Sequence, residues 1–196
     1  MLKTTLLTIL SIGAISLIAF FVSTAYFFGA FDKNYNEKEL VTHYENKKEQ
    51  FSELVKYFNS IVPYDKEIEI EFDNNNELFR FGVVSIDTLL KNRSPMYLKW
   101  NLNIDEDIPD EILTSINWNR NTFSSLKSKL DEAGCIQIRS GNPIEIGFKR
   151  NGMGMYSYYL YKKDSSNDIL NQQKKRNDIH FFNERMAWKY DGGAFD

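Results

Sequence analysis

From Thr4 to Phe31 the chain runs for 28 residues without a charge, and no other feature constrains its fold as strongly. As a helix this stretch is about 42 Å long, ample for a hydrocarbon layer of about 30 Å. Each charge at mid-bilayer would cost about 2.5–3.5 kcal/mol on the insertion scale, and the stretch has none. Helix formation also satisfies its backbone internally. Tyr26, Phe27 and Phe28 stand near its end, where aromatic rings favour the membrane interface. The sequence therefore predicts a single-pass anchor, with the bilayer as its first partner.

The rival is a cleaved signal peptide that releases a secreted domain. Lys3 gives a weak basic start, and Ser23-Thr24-Ala25 offers small residues for cleavage. Such signals carry apolar cores of about 7–15 residues. This one is longer and continues past the possible cut. Lys3 places the N-terminus in the cytoplasm and the rest outside it, at the cell membrane. The expected division is an anchor over 1–32 and one soluble α+β domain over 33–196.

That domain's 164 residues suffice for one core. The net charge of −3 and the absence of a basic face argue against nucleic acid. Aromatics make up 15% of the chain, which excludes an acidic disordered tail. Heavy use of Asn, Lys and Ile points to a bacterial source. Cys135 is the only cysteine, so no intramolecular disulfide forms. It opens an apolar alternating run and reads as a small buried hydrophobe.

Leu40, Tyr44, Phe51, Leu54, Val55, Phe58 and Val62 recur at helical spacing and predict one long leading helix over 33–63. Lys47 and Lys48 interrupt the seam, and Pro63 ends it. Ile68, Ile70 and Phe72 alternate with glutamates, as on a strand with one buried face. A turn at Asp73–Asn76 leads to a strand over 78–86. A third strand, 97–104, places Leu98, Trp100, Leu102 and Ile104 on one side. Two helices follow, the first after Pro109 and the second starting at Asn121 or Thr122 and stopped by Gly134. Strands over 135–139, 144–149 and 155–162 come next, the last two joined by an Asn151-Gly152 hairpin. Residues 164–178 read as a polar loop, and 179–182 with 185–190 as a last hairpin. The expected fold class is α+β: a transmembrane helix, then a mostly antiparallel sheet with about three helices.

Chemistry-bearing motifs are sparse. His43 and His180 have no second ligand at metal spacing, so no metal and no cofactor is expected. Gly152-Met153-Gly154 lacks the helix and Lys-Ser/Thr pair of a phosphate loop. Glu106, Asp107, Asp110 and Glu111 cluster where helix capping suffices. Lys174-Lys175-Arg176 is shorter than a lipid-binding basic cluster. No two carboxylates can be assigned acid and base roles. The run 155–161 places Tyr156 and Tyr158 on one strand face and Tyr159 and Tyr161 on the other. These four tyrosines are the candidate binding surface, one pair against the helices and the other partly exposed.

Ile144–Tyr156, read together with Lys189-Tyr190-Asp191-Gly192-Gly193, resembles uncharacterised small bacterial proteins with one N-terminal membrane segment. The resemblance implies no activity or site residue. The expected function is thus a membrane-tethered interaction domain of the bacterial envelope, with an envelope or toxin-like protein as partner. The alternative is an envelope hydrolase using surface carboxylates.

Overall fold

The computed structural model describes residues 15–25, 30–87, 92–162 and 165–192. Residues 4–14 and 26–29 of the predicted membrane segment lie outside them, and residues 15–25 are helical. Among the described residues no helix is long and apolar enough to cross a membrane.

Asn36 opens helix α1 (Glu37–Asn46). Its side chain accepts from the Glu39 amide while the Glu39 carboxylate accepts from the Asn36 amide, both at 3.0 Å. Two helix-end donors are thereby satisfied reciprocally. One residue, Lys47, separates α1 from helix α2 (Lys48–Ile61). The single leading helix expected over 33–63 is therefore two, broken at Lys47, whose φ and ψ are −117° and 16°. The break falls where the apolar seam carries Lys47 and Lys48. With nothing there to bury, the chain turns, and both Leu40 and Tyr44 before it and Phe51, Leu54 and Phe58 after it reach one core.

The strands are β1 (Lys66–Phe72), β2 (Glu77–Asp87), β3 (Asn92–Asn103), β4 (Gln137–Arg139), β5 (Ile144–Asn151), β6 (Gly154–Leu160), β7 (His180–Phe181) and β8 (Met186–Asp191). They form one sheet in the order β3-β2-β1-β4-β5-β6-β8-β7. Every pairing is antiparallel. Helices α3 (Asp110–Ser115) and α4 (Arg120–Ala133) carry the chain from β3, at one edge, back to the free side of β1. The α+β class and antiparallel sheet match the sequence reading, with more helices than the three expected.

Asn119 caps α4, two residues before the expected start, and Thr122 completes the reciprocal pair. Gly134 ends it at φ 69°, where a side chain is strained. A Cβ there would also lie 2.9 Å from His43 Nε2.

One sheet face is apolar and covered. Ile68, Ile70, Phe81, Ile138, Ile146 and Tyr158 are fully buried on it, beneath α1, α2 and α4. Phe81 packs edge-on against Phe123 of α4 at 5.5 Å, and Phe51 of α2 against Tyr158 at 5.1 Å. Cys135 is buried beside this core, and burial pushes its thiol pKa up. An inert buried hydrophobe is what the sequence implied.

Two further elements depart from expectation. Asn101 has φ 53° and stands beside Phe79, which is the extra residue of a β-bulge between β1 and β2. Both strands exchange faces there. Leu102 and Ile104 enter the core, whereas Leu98 and Trp100 are exposed on the opposite face, 47% and 52%. Leu102→Ala should therefore cost about 2–5 kcal/mol, and Trp100→Ala much less. Chemical denaturation of the two variants checks this; equal losses would place both residues in the core.

The second departure lies within the loop expected over 164–178, where Asn167–Lys174 form helix α5. Leu170 and Ile179 close over Tyr161 and Ala187 to make a small second cluster on the other sheet face. Apolar cover for that end of the sheet stabilises a helix whose own sequence is mostly polar. Of the basic triplet, Lys174 Nζ lies 5.5 Å from the Phe181 ring centroid and Arg176 pairs with Asp178.

Candidate functional site

Among the described residues after Asp32, no helix covers the second sheet face away from α5, and Ser23 of helix 15–25 reaches its border. Its strands curve around an open groove of about 1200 Å³. Strand alternation puts Glu69, Arg80, Gln137, Arg139, Glu145 and Tyr159 here, because their sequence neighbours Ile70, Phe81, Ile138, Ile146 and Tyr158 point to the core. Arg150, Lys189 and Asp191 line it from β5 and β8, and Trp100, Phe79, Met153 and Met155 give it apolar walls. Ser23 and Asp32 border it from the N-terminal side.

The floor is closely fitted at Gly147. A Cβ there would lie 2.7 Å from Gln137 Cβ and would also strike the Met155 sulfur. Its absence lets those side chains lie across the strand. Gln137 Nε2 donates to Glu69 at 3.1 Å, and Arg80 forms an ion pair with the same carboxylate. Glu71, 1% exposed, receives both arms of Arg150, at 2.5 and 2.7 Å. The Arg150 guanidinium also lies 4.0 Å from the Phe79 ring centroid. Lys189 pairs with Asp191, and the Tyr159 hydroxyl donates to Asp191 at 3.3 Å.

Two charged groups are less committed. Arg139 is exposed, and its side chain makes no hydrogen bond or ion pair within the described residues. Glu145 stands directly across from Arg139 on one side and Tyr159 on the other. Burial raises the Glu145 pKa, Arg139 partly opposes this, and Asp191 and Glu69 add to the rise. The folded state thus binds the Glu145 proton more tightly than the unfolded chain. Its contribution is fully present below the unfolded pKa and is lost as pH rises through the folded one. Glu145→Gln should consequently raise the thermal midpoint at pH 7 and leave it unchanged well below pH 4.5. A midpoint that falls at pH 7 would show the carboxylate to be stabilising.

The sequence-predicted tyrosines separate. Tyr156 and Tyr158 are buried on the helix side, 6% and 0% exposed, and Tyr161 is buried under α5. Only Tyr159 lines the groove. The Tyr158 hydroxyl donates to the Leu40 carbonyl at 3.0 Å and lies 2.9 Å from His43 Nδ1. His43 is accordingly a packed core-edge histidine, and burial lowers its pKa. His180 stacks on Trp188 at 4.4 Å. Among the described residues no group of three His, Cys, Asp or Glu could hold a metal ion. The groove residues were present in the sequence as the polar partners of each alternating strand. Which strands neighbour one another was not, and that adjacency brings Glu69, Arg139, Glu145 and Asp191 together.

Comparison with protein-family models, curated proteins and solved structures returns no match for this chain.

Proposed function

We propose that this chain is a membrane-tethered binding domain of the bacterial envelope, anchored through an N-terminal transmembrane helix and holding its partner in the open groove. The observation that carries the reading is the one-sided cover of the sheet: helices close one face, and the other keeps a large groove walled by Trp100 and floored with polar side chains. The tether is supported by helix 15–25, on which Ile15, Leu17, Ile18, Phe20, Phe21 and Val22 are each more than half exposed. Contiguous apolar surface of this kind favours a membrane or partner over water. The resemblance over Ile144–Tyr156 agrees with it. An envelope protein or a toxin-like protein neutralised by this domain is one specific form of partner.

The full-length protein should stay in the membrane pellet after a carbonate wash, at a mass that includes residues 1–25. Recovery of a soluble form starting near Tyr26 would replace the anchor with a cleaved signal. A phosphatase fused after Asp196 should be active, and an inactive but well-expressed fusion would reverse the topology.

One observation favours a second reading, an envelope hydrolase. Glu145, with its raised pKa, shares the groove with Asp191, which is ion-paired to Lys189. Carboxyl groups in unlike environments are the arrangement that acid–base hydrolysis uses.

A further inference from the structure

We infer that the groove binds a neutral glycan chain, an assignment that rests on the binding reading above and names its ligand class. The first ground is charge. The lining contains four cations, Arg80, Arg139, Arg150 and Lys189, and four carboxylates, Asp32, Glu69, Glu145 and Asp191. The groove therefore presents no net charge to complement a polyanion or a polycation. Anionic lipid headgroups would call for a basic excess.

The second ground is unspent hydrogen-bonding capacity. Among the described residues the Arg139 guanidinium faces Glu145 without a hydrogen bond or close ion pair, and the buried Arg80 Nε has no hydrogen-bond partner. Glu145, set between Arg139 and Tyr159, holds a carboxyl group that can take further hydrogen bonds from a ligand. Planar guanidinium and carboxyl groups match neighbouring hydroxyls on a sugar ring two at a time.

The third ground is the wall. Trp100 is 52% exposed and sits opposite Arg80 on the adjacent strand. A flat, amphipathic ring beside planar polar groups suits a ligand with one apolar C–H face and a polar rim. Size is the last ground. About 1200 Å³ exceeds the roughly 300–1,000 Å³ of sites that hold one small ligand, which suits several linked sugars better than one.

The test uses the full-length protein in detergent micelles, titrated by calorimetry and tryptophan fluorescence. One arm uses a hexamer of N-acetylglucosamine and the other a hexamer of glucose. Saturable binding of at least one is expected, weakened tenfold or more in both Trp100→Ala and Arg139→Ala while their thermal midpoints stay within a few degrees of the parent. Which arm binds distinguishes an amino-sugar chain from a glucan. Binding of neither hexamer, or binding unchanged in both variants, would overturn the glycan assignment. Cross-linking in native membranes separates the two levels of the argument. If no hexamer binds but the same variants lose a cross-linked protein partner, the glycan falls and the binding reading stands. If the variants change neither measurement, both fall.

Discussion

Arg150→Ala is expected to destabilise the domain by about 3 kcal/mol in urea denaturation. Glu71 is almost completely buried, and among the described residues Arg150 supplies both of the hydrogen bonds to its carboxylate. Removing one partner of a buried pair typically costs about 3–5 kcal/mol, because a charge is left behind without its counter-ion. The lower end applies because the Arg150 side chain is 31% exposed, so water can enter the space it vacates. Arg150→Lys should recover only part of the loss, since an ammonium cannot reproduce the two-armed contact or lie flat on Phe79. The double variant Glu71→Gln/Arg150→Met should be much closer to the parent than Arg150→Ala. A single variant with a loss under about 1 kcal/mol would mean that Glu71 is hydrated rather than buried.

Tyr158→Ala should cost more, about 4 kcal/mol or above. Tyr158 is the largest of the fully buried side chains and touches both halves of the leading helical pair. Truncating a buried aromatic typically costs about 3–5 kcal/mol. The cavity here would also orphan its links to Leu40 and His43. Tyr158→Phe isolates that polar part and should cost about 1–2 kcal/mol. Tyr159→Ser, on the neighbouring residue, should change stability far less and act instead on groove binding. Equal losses for Tyr158 and Tyr159 in thermal unfolding would show the strand to be buried on both sides and would remove the groove at that position.

The same two tyrosines mark how far the sequence could be read. Period-two alternation correctly separates Tyr156 and Tyr158 from Tyr159 and Tyr161, since that follows from strand geometry alone. It carries no information about cover. α5 lies over Tyr161 and leaves Tyr159 at the groove, and a mostly polar stretch gave no hint of that helix. The strands around Asn151-Gly152 and the stop at Gly134 were legible because turn and cap chemistry is local. The exchange of faces at Phe79 and Asn101 was not. A bulge is set by what the neighbouring strand does, and the residues of β3 alternate as cleanly on paper as those of β1. The charged groove is the extreme case. Glu69, Arg139, Glu145 and Asp191 are spread over more than a hundred residues, and only the order of strands makes them neighbours.

The joint between the N-terminal segment and the domain is short, and it is fastened. Asp32 accepts a hydrogen bond from the Gly152 amide at 2.7 Å, Asn34 from the Asn151 side chain at 2.7 Å, and the Tyr35 ring wedges between Phe148 and Tyr156. Five free residues of flexible linker would let a domain wander by about 12 Å. Pinned at three of those positions, this one has no such slack. If residues 4–31 cross the bilayer, the β5–β6 hairpin, whose Gly152 amide is held by Asp32, is kept beside the lipid surface. The domain then behaves as a bracket rather than a tethered float. It cannot reach out for a partner, and whatever it holds must itself lie within a thin layer beside the membrane.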